Sequence, residues 1–281
     1  MKILVTGSTG FIGNYIIREL LKNNCQVIAT GRRVAEKVPY NWIEKVDYFP
    51  ADLEVKQDNW FEFFGKPDCL LHLAWGGLPH YNQPFHWENN LPHNASFLKN
   101  MVEKGCRNVV VAGTCFEYGI RSGILNEELD TKPANFYALA KDSLRKYLEL
   151  LQKKIDFDLK WLRLFYMHGK GQSPTSILSQ LQASLDKGES VFNMSGGEQL
   201  RDYLPVEKIA EYIVKIVLQK KVTGIINTCS GNPISIKKLV NDYLADNPNS
   251  IELNLGYYPY PEYEAMEFWG GTDKLKKAIE G

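Results

Sequence analysis

Three side chains near the middle of the chain have the chemistry to interconvert an alcohol and a ketone. Tyr137 and Lys141 are four residues apart in a segment with helical spacing, so both fall on one helix face. An ammonium group beside a phenol favours the phenolate and lowers the pKa of the tyrosine, which makes it a usable acid or base. Thr114 ends a predicted strand, where its hydroxyl could bond the same substrate oxygen. Together they predict a proton relay at a carbonyl. A Tyr/Lys pair alone more often lies on the protein surface and has no catalytic role.

A glycine loop near the N-terminus, Gly7-Ser8-Thr9-Gly10-Phe11-Ile12-Gly13, lies between a predicted strand and a predicted helix. In that context Gly7 permits a tight turn, Gly10 lets backbone approach a pyrophosphate, and Gly13 lets the helix pack closely on the strand. Phosphate oxygens would accept hydrogen bonds from the helix N-terminus. The loop predicts a dinucleotide site; the alternative is a glycine-rich turn without a ligand.

The end of the second predicted strand bears on which dinucleotide is bound. NAD-binding units usually place Asp or Glu there, where it bonds the ribose hydroxyls. Residues 24–34 contain no acid and carry Arg32 and Arg33 instead. Two guanidinium groups suit a 2′-phosphate. The sequence therefore favours NADP over NAD, while arginines on a solvated loop are the competing interpretation.

Composition and charge are those of an ordinary globular protein. The 281 residues include 33 basic and 33 acidic side chains, so net charge gives no overall attraction to nucleic acid or to an anionic membrane. No apolar stretch reaches the length of a spanning helix, and we expect a cytoplasmic protein. The five cysteines and five histidines are scattered without metal-ligand spacing. We therefore predict no metal site and no disulfide framework.

The hydrophobic pattern predicts an α/β fold with a doubly wound parallel sheet of the Rossmann type. Short apolar runs alternate with segments whose apolar residues recur every three or four positions, as in repeated βαβ units. Strands are expected at 3–5, 26–29, 69–73, 109–112, 159–164 and 224–228. Helices are expected at 11–22, 90–104, 136–153, 176–187, 206–218 and after Ser235, a suitable cap. In 159–164 apolar and basic residues alternate, which predicts one less buried face.

The chain is expected to divide into two parts. Residues 1–165 would form the dinucleotide-binding domain, and residues 166–281 mainly a smaller α/β substrate lobe with some segments returning to the first domain. The boundary is placed where alternation becomes irregular and glycine, proline and serine become frequent.

These segments resemble the extended short-chain dehydrogenase/reductase family, in its branch of NAD-dependent epimerases and dehydratases that act on nucleotide sugars. The resemblance covers nearly the whole chain. It rests on the T-G-x-x-G-x-x-G loop at 6–13, an adenine-contacting Asp52-Leu53 pair, the fourth-strand motif His72-Leu73-Ala74, the set of Thr114 with Tyr137-x-x-x-Lys141, and the pocket-bordering segment 197–203. Because family members commonly dimerise through the helices that begin here near Asn90 and Phe136, the resemblance implies a homodimer.

The resemblance also implies a set of site residues. Cofactor contacts are expected from Gly7, Thr9, Gly10, Phe11, Ile12, Gly13, Arg32, Arg33, Asp52, Leu53, Leu73, Ala74, Trp75, Tyr137 and Lys141. Substrate contacts are expected from Thr114, Glu117, Tyr118, Tyr166 and Arg201. Arg201 would hold a diphosphate oxygen, or else form a salt bridge on the lobe surface. Glu117 and Tyr118 could instead be packing residues, and Trp75 could line the sugar pocket or pack between lobes.

Departures from the family pattern narrow the expected reaction. Dehydratases of this branch carry Asp-Glu directly after the catalytic threonine, whereas this chain has Cys115-Phe116, which argues against dehydration. Tyr166 stands where many epimerases have asparagine. These departures and the NADP preference together favour one reaction, the reduction of the C4 ketone of a nucleotide-linked 4-keto-6-deoxyhexose. Tyr137 would be the proton donor. A nucleotide-sugar 4-epimerase with tightly held NAD and a non-catalytic cofactor sensor are the alternatives.

Overall fold

The computed structural model describes residues 1–247, 251–260 and 265–280. Across these ranges the strands are β1 (Lys2–Thr6), β2 (Gln26–Gly31), β3 (Asp47–Pro50), β4 (Cys69–His72), β5 (Asn108–Thr114), β6 (Gly123–Leu125), β7 (Asp158–Leu164), β8 (Tyr166–His168), β9 (Val191–Asn193), β10 (Leu200–Arg201), β11 (Tyr203–Pro205), β12 (Gly224–Thr228), β13 (Ile234–Ser235), β14 (Glu252–Asn254) and β15 (Phe268–Gly270). The helices are α1 (Phe11–Lys22), α2 (Trp60–Phe63), α3 (Leu91–Glu103), α4 (Phe136–Gln152), α5 (Ile177–Asp186), α6 (Val206–Leu218), α7 (Ile236–Ala245) and α8 (Asp273–Glu280). A π-helical turn, His86–Asn90, precedes α3, and a 3-10 turn, Cys115–Tyr118, follows β5.

The core of the fold is a seven-stranded parallel sheet in the order β3-β2-β1-β4-β5-β7-β12. Successive residues of β1 enter opposite layers: Ile3 and Val5 pack with α1, α6 and α8, whereas Leu4 packs with α2, α3 and α4. Burial on both faces explains the near-continuous apolar runs of these strands. The α/β prediction with a doubly wound parallel sheet is confirmed. The strand order reverses between β1 and β4, so ligands are expected in the crevice at the carboxyl ends of these strands.

Strand β7 corrects one expectation. Its two basic residues were expected on a less buried face, yet Lys160 is 5% exposed and Arg163 is 0% exposed. The Lys160 ammonium donates hydrogen bonds to the carbonyls of Ile216 and Gln219 at the end of α6. Arg163 pairs with a buried carboxylate described below. Both charges are tolerated inside because each has partners from distant segments.

The C-terminal part contributes to the sheet as well as to a smaller lobe. Strand β12 pairs with β7, and α6 and α8 pack on the same layer as α1. A separate apolar cluster joins α5, α7, β9 and β14. The boundary between residues 165 and 166 stays a prediction. No helix among the described residues has the length and apolar character to cross a bilayer.

Candidate active site

The glycine loop has the conformation that its sequence predicts. Gly7 has a φ of +66°, and a Cβ there would lie 2.8 Å from the backbone nitrogen of Ala74. A Cβ on Gly13 would lie 2.3 Å from the carbonyl oxygen of Gly7, so larger residues are excluded at both positions. Helix α1 begins at Phe11 without a side-chain cap from Gly10. The first-turn N–H groups are therefore left for an anionic ligand or water.

A cleft of about 250 Å³ lies beside this loop at the carboxyl ends of β1, β2 and β4. Residues predicted to contact the cofactor make up much of its lining: Gly7, Thr9, Gly10, Arg32, Asp52, Leu53, Leu73, Ala74 and Trp75. Phe11, Ile12 and Gly13 continue into α1, while Arg33 is exposed and its carbonyl accepts a hydrogen bond from the Tyr48 hydroxyl. A cleft beside a helix N-terminus and at the carboxyl ends of parallel strands fits a dinucleotide.

The end of β4 is held in place by a buried polar chain. The hydroxyl of Thr6 lies 2.9 Å from Nδ1 of His72 and accepts hydrogen bonds from the N–H groups of Leu73 and Ala74. Nε2 of His72 lies 2.6 Å from the side-chain oxygen of Asn94. Burial lowers the pKa of His72 to about 3, so the imidazole is neutral. It positions the cleft wall and is not a base.

The three predicted catalytic residues meet at the end of β5. Asn135 caps α4 by accepting a hydrogen bond from the N–H of Ala138, which sets Tyr137 and Lys141 on the inner face of the helix. The Tyr137 phenol lies close enough to the Thr114 side chain to interact with it, and the Thr114 hydroxyl accepts a hydrogen bond from the N–H of Phe116. The Lys141 ammonium donates to the carbonyl of Ala112, 2.8 Å away and two residues before Thr114.

Burial controls the protonation of this set. It raises the pKa of Tyr137, with smaller contributions from Tyr81, Glu117 and Cys115, whereas the interaction with Thr114 acts in the opposite direction. It also lowers the pKa of Lys141 to about 7, against the opposing effect of Glu117. The net direction for Tyr137 is opposite to the sequence-based expectation, because desolvation outweighs the lowering effect of Thr114. Tyr137 is therefore a protonated phenol here, the form that can donate a proton.

Glu117 and Tyr118 lie beneath the site and not on its wall. The Glu117 carboxylate is 0% exposed and accepts hydrogen bonds from the Thr114 N–H, the Trp161 indole and Arg163, each at 2.9 Å. Tyr118 is also 0% exposed and donates its hydroxyl to Asn227. The expectation that these two residues face the substrate is thus not met by their positions, because the 3-10 turn directs both inward. Glu117 instead supports Thr114.

The remaining candidate substrate residues lie in two settings. Tyr166 is partly exposed, and its ring lies 6.1 Å from that of Phe116 and 5.2 Å from that of Tyr203. Arg201 is 2% exposed, donates to the carbonyls of Leu200 and Met266, and lies over the Phe268 ring. Both of these hydrogen bonds come from Nη1 of the guanidinium group.

Sequence reasoning missed an aromatic group around Tyr137. The Trp75 ring lies 4.0 Å from the Lys141 ammonium and 6.0 Å from the Tyr137 ring. The carbonyl of Tyr81 accepts the backbone N–H of Tyr137, and His86 packs 5.4 Å from its ring. The only signal in the sequence was the density of aromatic residues over 75–87. No group of three metal-ligating side chains occurs in the part of the chain that the structure describes.

Comparison with known proteins now identifies the family. Residues 3–229 match the NAD dependent epimerase/dehydratase family. The chain belongs to this family. The matched range includes the glycine loop and the predicted catalytic residues. The family prediction is confirmed, and the protein is an enzyme of an NAD-dependent family.

Individual relatives differ in the reaction they are named for. A dTDP-6-deoxy-L-talose 4-dehydrogenase (NAD(+)) of Aggregatibacter actinomycetemcomitans is 30% identical over 272 residues, with 96% of this chain and 99% of the relative covered. A UDP-glucose 4-epimerase of Halalkalibacterium halodurans is 27% identical over 267 residues, with 85% and 78% covered. Among solved structures, the UDP-glucuronic acid 4-epimerase of Bacillus cereus, in complex with UDP-glucuronic acid and NAD, superposes with a TM-score of 0.83 at 21% identity, with 100% of this chain and 93% of that one covered. This structural likeness supports the Rossmann-type fold.

Proposed function

We propose that the protein reduces the C4 ketone of a nucleotide-linked 4-keto-6-deoxyhexose, with NADPH as the cofactor. The observation that carries this proposal is the meeting of Thr114, Tyr137 and Lys141 at the end of β5, beside a cleft suited to a dinucleotide. The Thr114 and Tyr137 hydroxyls at this position can both reach one carbonyl oxygen, and Tyr137 can pass it a proton.

Each residue of the site has a role in this reaction. The first turn of α1 would hold the pyrophosphate, and Asp52 and Leu53 would contact the adenine end. When bound, the reduced nicotinamide supplies a hydride to C4. The C4 carbonyl oxygen accepts a hydrogen bond from Thr114 and takes the proton of the Tyr137 hydroxyl, so the ketone becomes a secondary alcohol. Lys141 holds a positive charge near the phenol and stabilises the phenolate that remains.

Relatives support chemistry at C4 of a nucleotide sugar. The 30% identical relative is named for oxidation at C4 of a 6-deoxy sugar nucleotide. Oxidation of that alcohol and reduction of the ketone are one reaction in opposite directions, and they use the same relay. The residues after Thr114 are Cys115 and Phe116, which offer neither of the carboxylates that dehydration would use.

The cofactor preference rests on Arg32. Its side chain is exposed at the end of β2 and lines the cleft, where it can pair with a 2′-phosphate. The same relative is named with NAD(+), which favours the other dinucleotide. The family description supports NAD as well. Because of Arg32, we propose NADP as the preferred cofactor and NAD as a second one.

A 4-epimerase is the second candidate. The UDP-glucose 4-epimerase relative favours it, and an epimerase would need the same Thr114, Tyr137 and Lys141 relay. The two reactions differ in their cofactor balance, because an epimerase regenerates its own cofactor and a reductase consumes it.

The test is a cofactor-oxidation assay against nucleotide-linked 4-keto-6-deoxy sugars, with product configuration read by NMR. We expect one equivalent of NADPH to be consumed per sugar, and Tyr137→Phe to lose most of this activity while it still binds cofactor. Interconversion of two sugars without net loss of cofactor would favour the epimerase. If neither NADPH nor NADH is oxidised by any member of the panel, the reductase proposal fails.

A further inference from the structure

Trp75 separates the dinucleotide cleft from the catalytic pair. Its side chain lines the cleft together with the glycine loop, whereas Tyr137 and Lys141 are 8% and 1% exposed and are not among the described lining residues. The indole lies 4.0 Å from the Lys141 ammonium and edge-on to the Tyr137 ring. The indole therefore borders the cleft and also lies over the ammonium.

The indole is held in this position by a buried histidine. The Trp75 N–H donates to Nδ1 of His86, which also accepts a hydrogen bond from the Asn90 side chain. Nε2 of His86 lies 3.0 Å from the carbonyl of His80, so it carries the proton and donates it there. His86 is 0% exposed, and all of its ring nitrogens have partners. This network fixes the face of the indole against Lys141.

Lys141 has two described partners, the carbonyl of Ala112 and the indole face. An ammonium can donate three hydrogen bonds, so Lys141 has donor capacity beyond its bond to Ala112, and the Trp75 indole covers one side of it. A cation–π contact in a desolvated setting is attractive enough to hold this closed arrangement.

We propose that Trp75 is a gate that cofactor binding must open. The inference rests on the proposed function: contact between Lys141 and the nicotinamide riboside end requires the indole to move away from the ammonium. The adenosine end needs no such movement, because the glycine loop, Asp52 and Leu53 already line the cleft. Trp75 is accordingly a positioning residue that couples cofactor occupancy to the exposure of Tyr137 and Lys141.

The gate predicts different behaviour for whole and half ligands. Tryptophan emission is followed while the purified protein is titrated with NADP⁺, NAD⁺ or ADP. The variants are Trp75→Phe, Trp75→Ala and the matched control Trp87→Phe, whose indole is 42% exposed on the π-helical turn. Binding constants are measured in parallel by calorimetry, which gives a readout that does not depend on activity or on fluorescence.

We expect a dinucleotide to change the emission of the wild type and of Trp87→Phe, and the change to be lost in Trp75→Phe. Removing the gate in Trp75→Ala should tighten dinucleotide binding roughly tenfold, the scale of losing a desolvated cation–π contact that holds the closed state. ADP binding should be the same in all four proteins.

An emission change that survives in Trp75→Phe would overturn the gate, as would equal weakening of ADP and dinucleotide binding in Trp75→Ala. If Trp75→Ala does not fold, the comparison of Trp75→Phe with Trp87→Phe decides the matter. If calorimetry shows dinucleotide binding but no emission change depends on Trp75, the gate is contradicted and the proposed function is not. Failure of the wild type to bind either dinucleotide contradicts the proposed function and the gate together.

Discussion

Replacing Lys141 by methionine should stabilise the folded protein while it abolishes activity. Lys141 is 1% exposed, and burial lowers its pKa from 10.5 to about 7. At about 1.36 kcal/mol per pKa unit, keeping this ammonium charged in the folded state costs roughly 5 kcal/mol below neutral pH. Methionine removes that cost and also loses the hydrogen bond to Ala112, so we expect a net gain on the order of 3 kcal/mol in the free energy of unfolding.

The gain in the free energy of unfolding that Lys141→Met gives over the wild type should decrease as the pH rises. Below about pH 7 the lysine is charged in both states, and the wild type bears the full cost of burial. Between about pH 7 and pH 10 the folded state has lost the proton and the unfolded state keeps it, so wild-type stability rises relative to the variant. The advantage of Lys141→Met should therefore shrink steadily across this range.

Urea unfolding near pH 6, near pH 8 and near pH 10 measures this difference. The control is Lys153→Met, at an exposed position just after α4, for which no such pH-dependent difference is expected. A difference between wild type and Lys141→Met that does not change with pH would refute the reasoning, as would a variant that is less stable than the wild type at the acid end.

Three further predictions concern the site and the assembly. Glu117→Gln removes the anion that raises the pKa of Lys141, so the alkaline limb of the kcat profile should move to lower pH; an unmoved limb in a folded variant would contradict the coupling. Arg32→Ala should raise KM for NADP by roughly 10- to 100-fold through loss of a charge-assisted bond, and that for NAD much less; equal effects would remove the case for NADP. We propose a homodimer through α3 and α4, where Phe136 and Leu139 are exposed, and expect light scattering to show a dimer for the wild type and a monomer for Leu139→Glu. A monomeric wild type would contradict this proposal.

Features set by local sequence were predictable. The bounds of α1, α6 and β12 agree with the sequence pattern, and Ser235 caps α7 as expected by accepting the N–H of Lys238. The conformation of the glycine loop follows from the same kind of information, because each glycine answers a steric requirement within a few residues or at the adjacent strand.

Features set by distant partners were not predictable. Lys160 looks like a surface residue in sequence, yet its ammonium is satisfied by carbonyls of residues 216 and 219. Glu117 looks like a substrate ligand beside Thr114, yet Trp161 and Arg163 of β7 take up its carboxylate. Whether residues such as Lys160 and Glu117 are buried depends on which strands and helices become their neighbours. The periodicity of one segment carries no information about those neighbours.

The same limit applies to the aromatic group around the catalytic pair. Trp75 and His86 are eleven residues apart, and the π-helical turn brings them into hydrogen-bond contact. Both rings lie against Tyr137, and burial sets the direction of the pKa changes of Tyr137 and Lys141. The sequence proposes Thr114, Tyr137 and Lys141 as a set and the structure brings them together, but the direction of the pKa changes of Tyr137 and Lys141 could not be predicted.

The most direct test of the proposed reduction at C4 follows the transferred hydrogen. NADPH carrying deuterium at its transferable position is incubated with a nucleotide-linked 4-keto-6-deoxyhexose, and the product is examined by NMR. The proposed function predicts one deuterium at C4 for each NADPH oxidised. A product that carries no deuterium at C4, or an epimeric sugar formed without net oxidation of the cofactor, would contradict it.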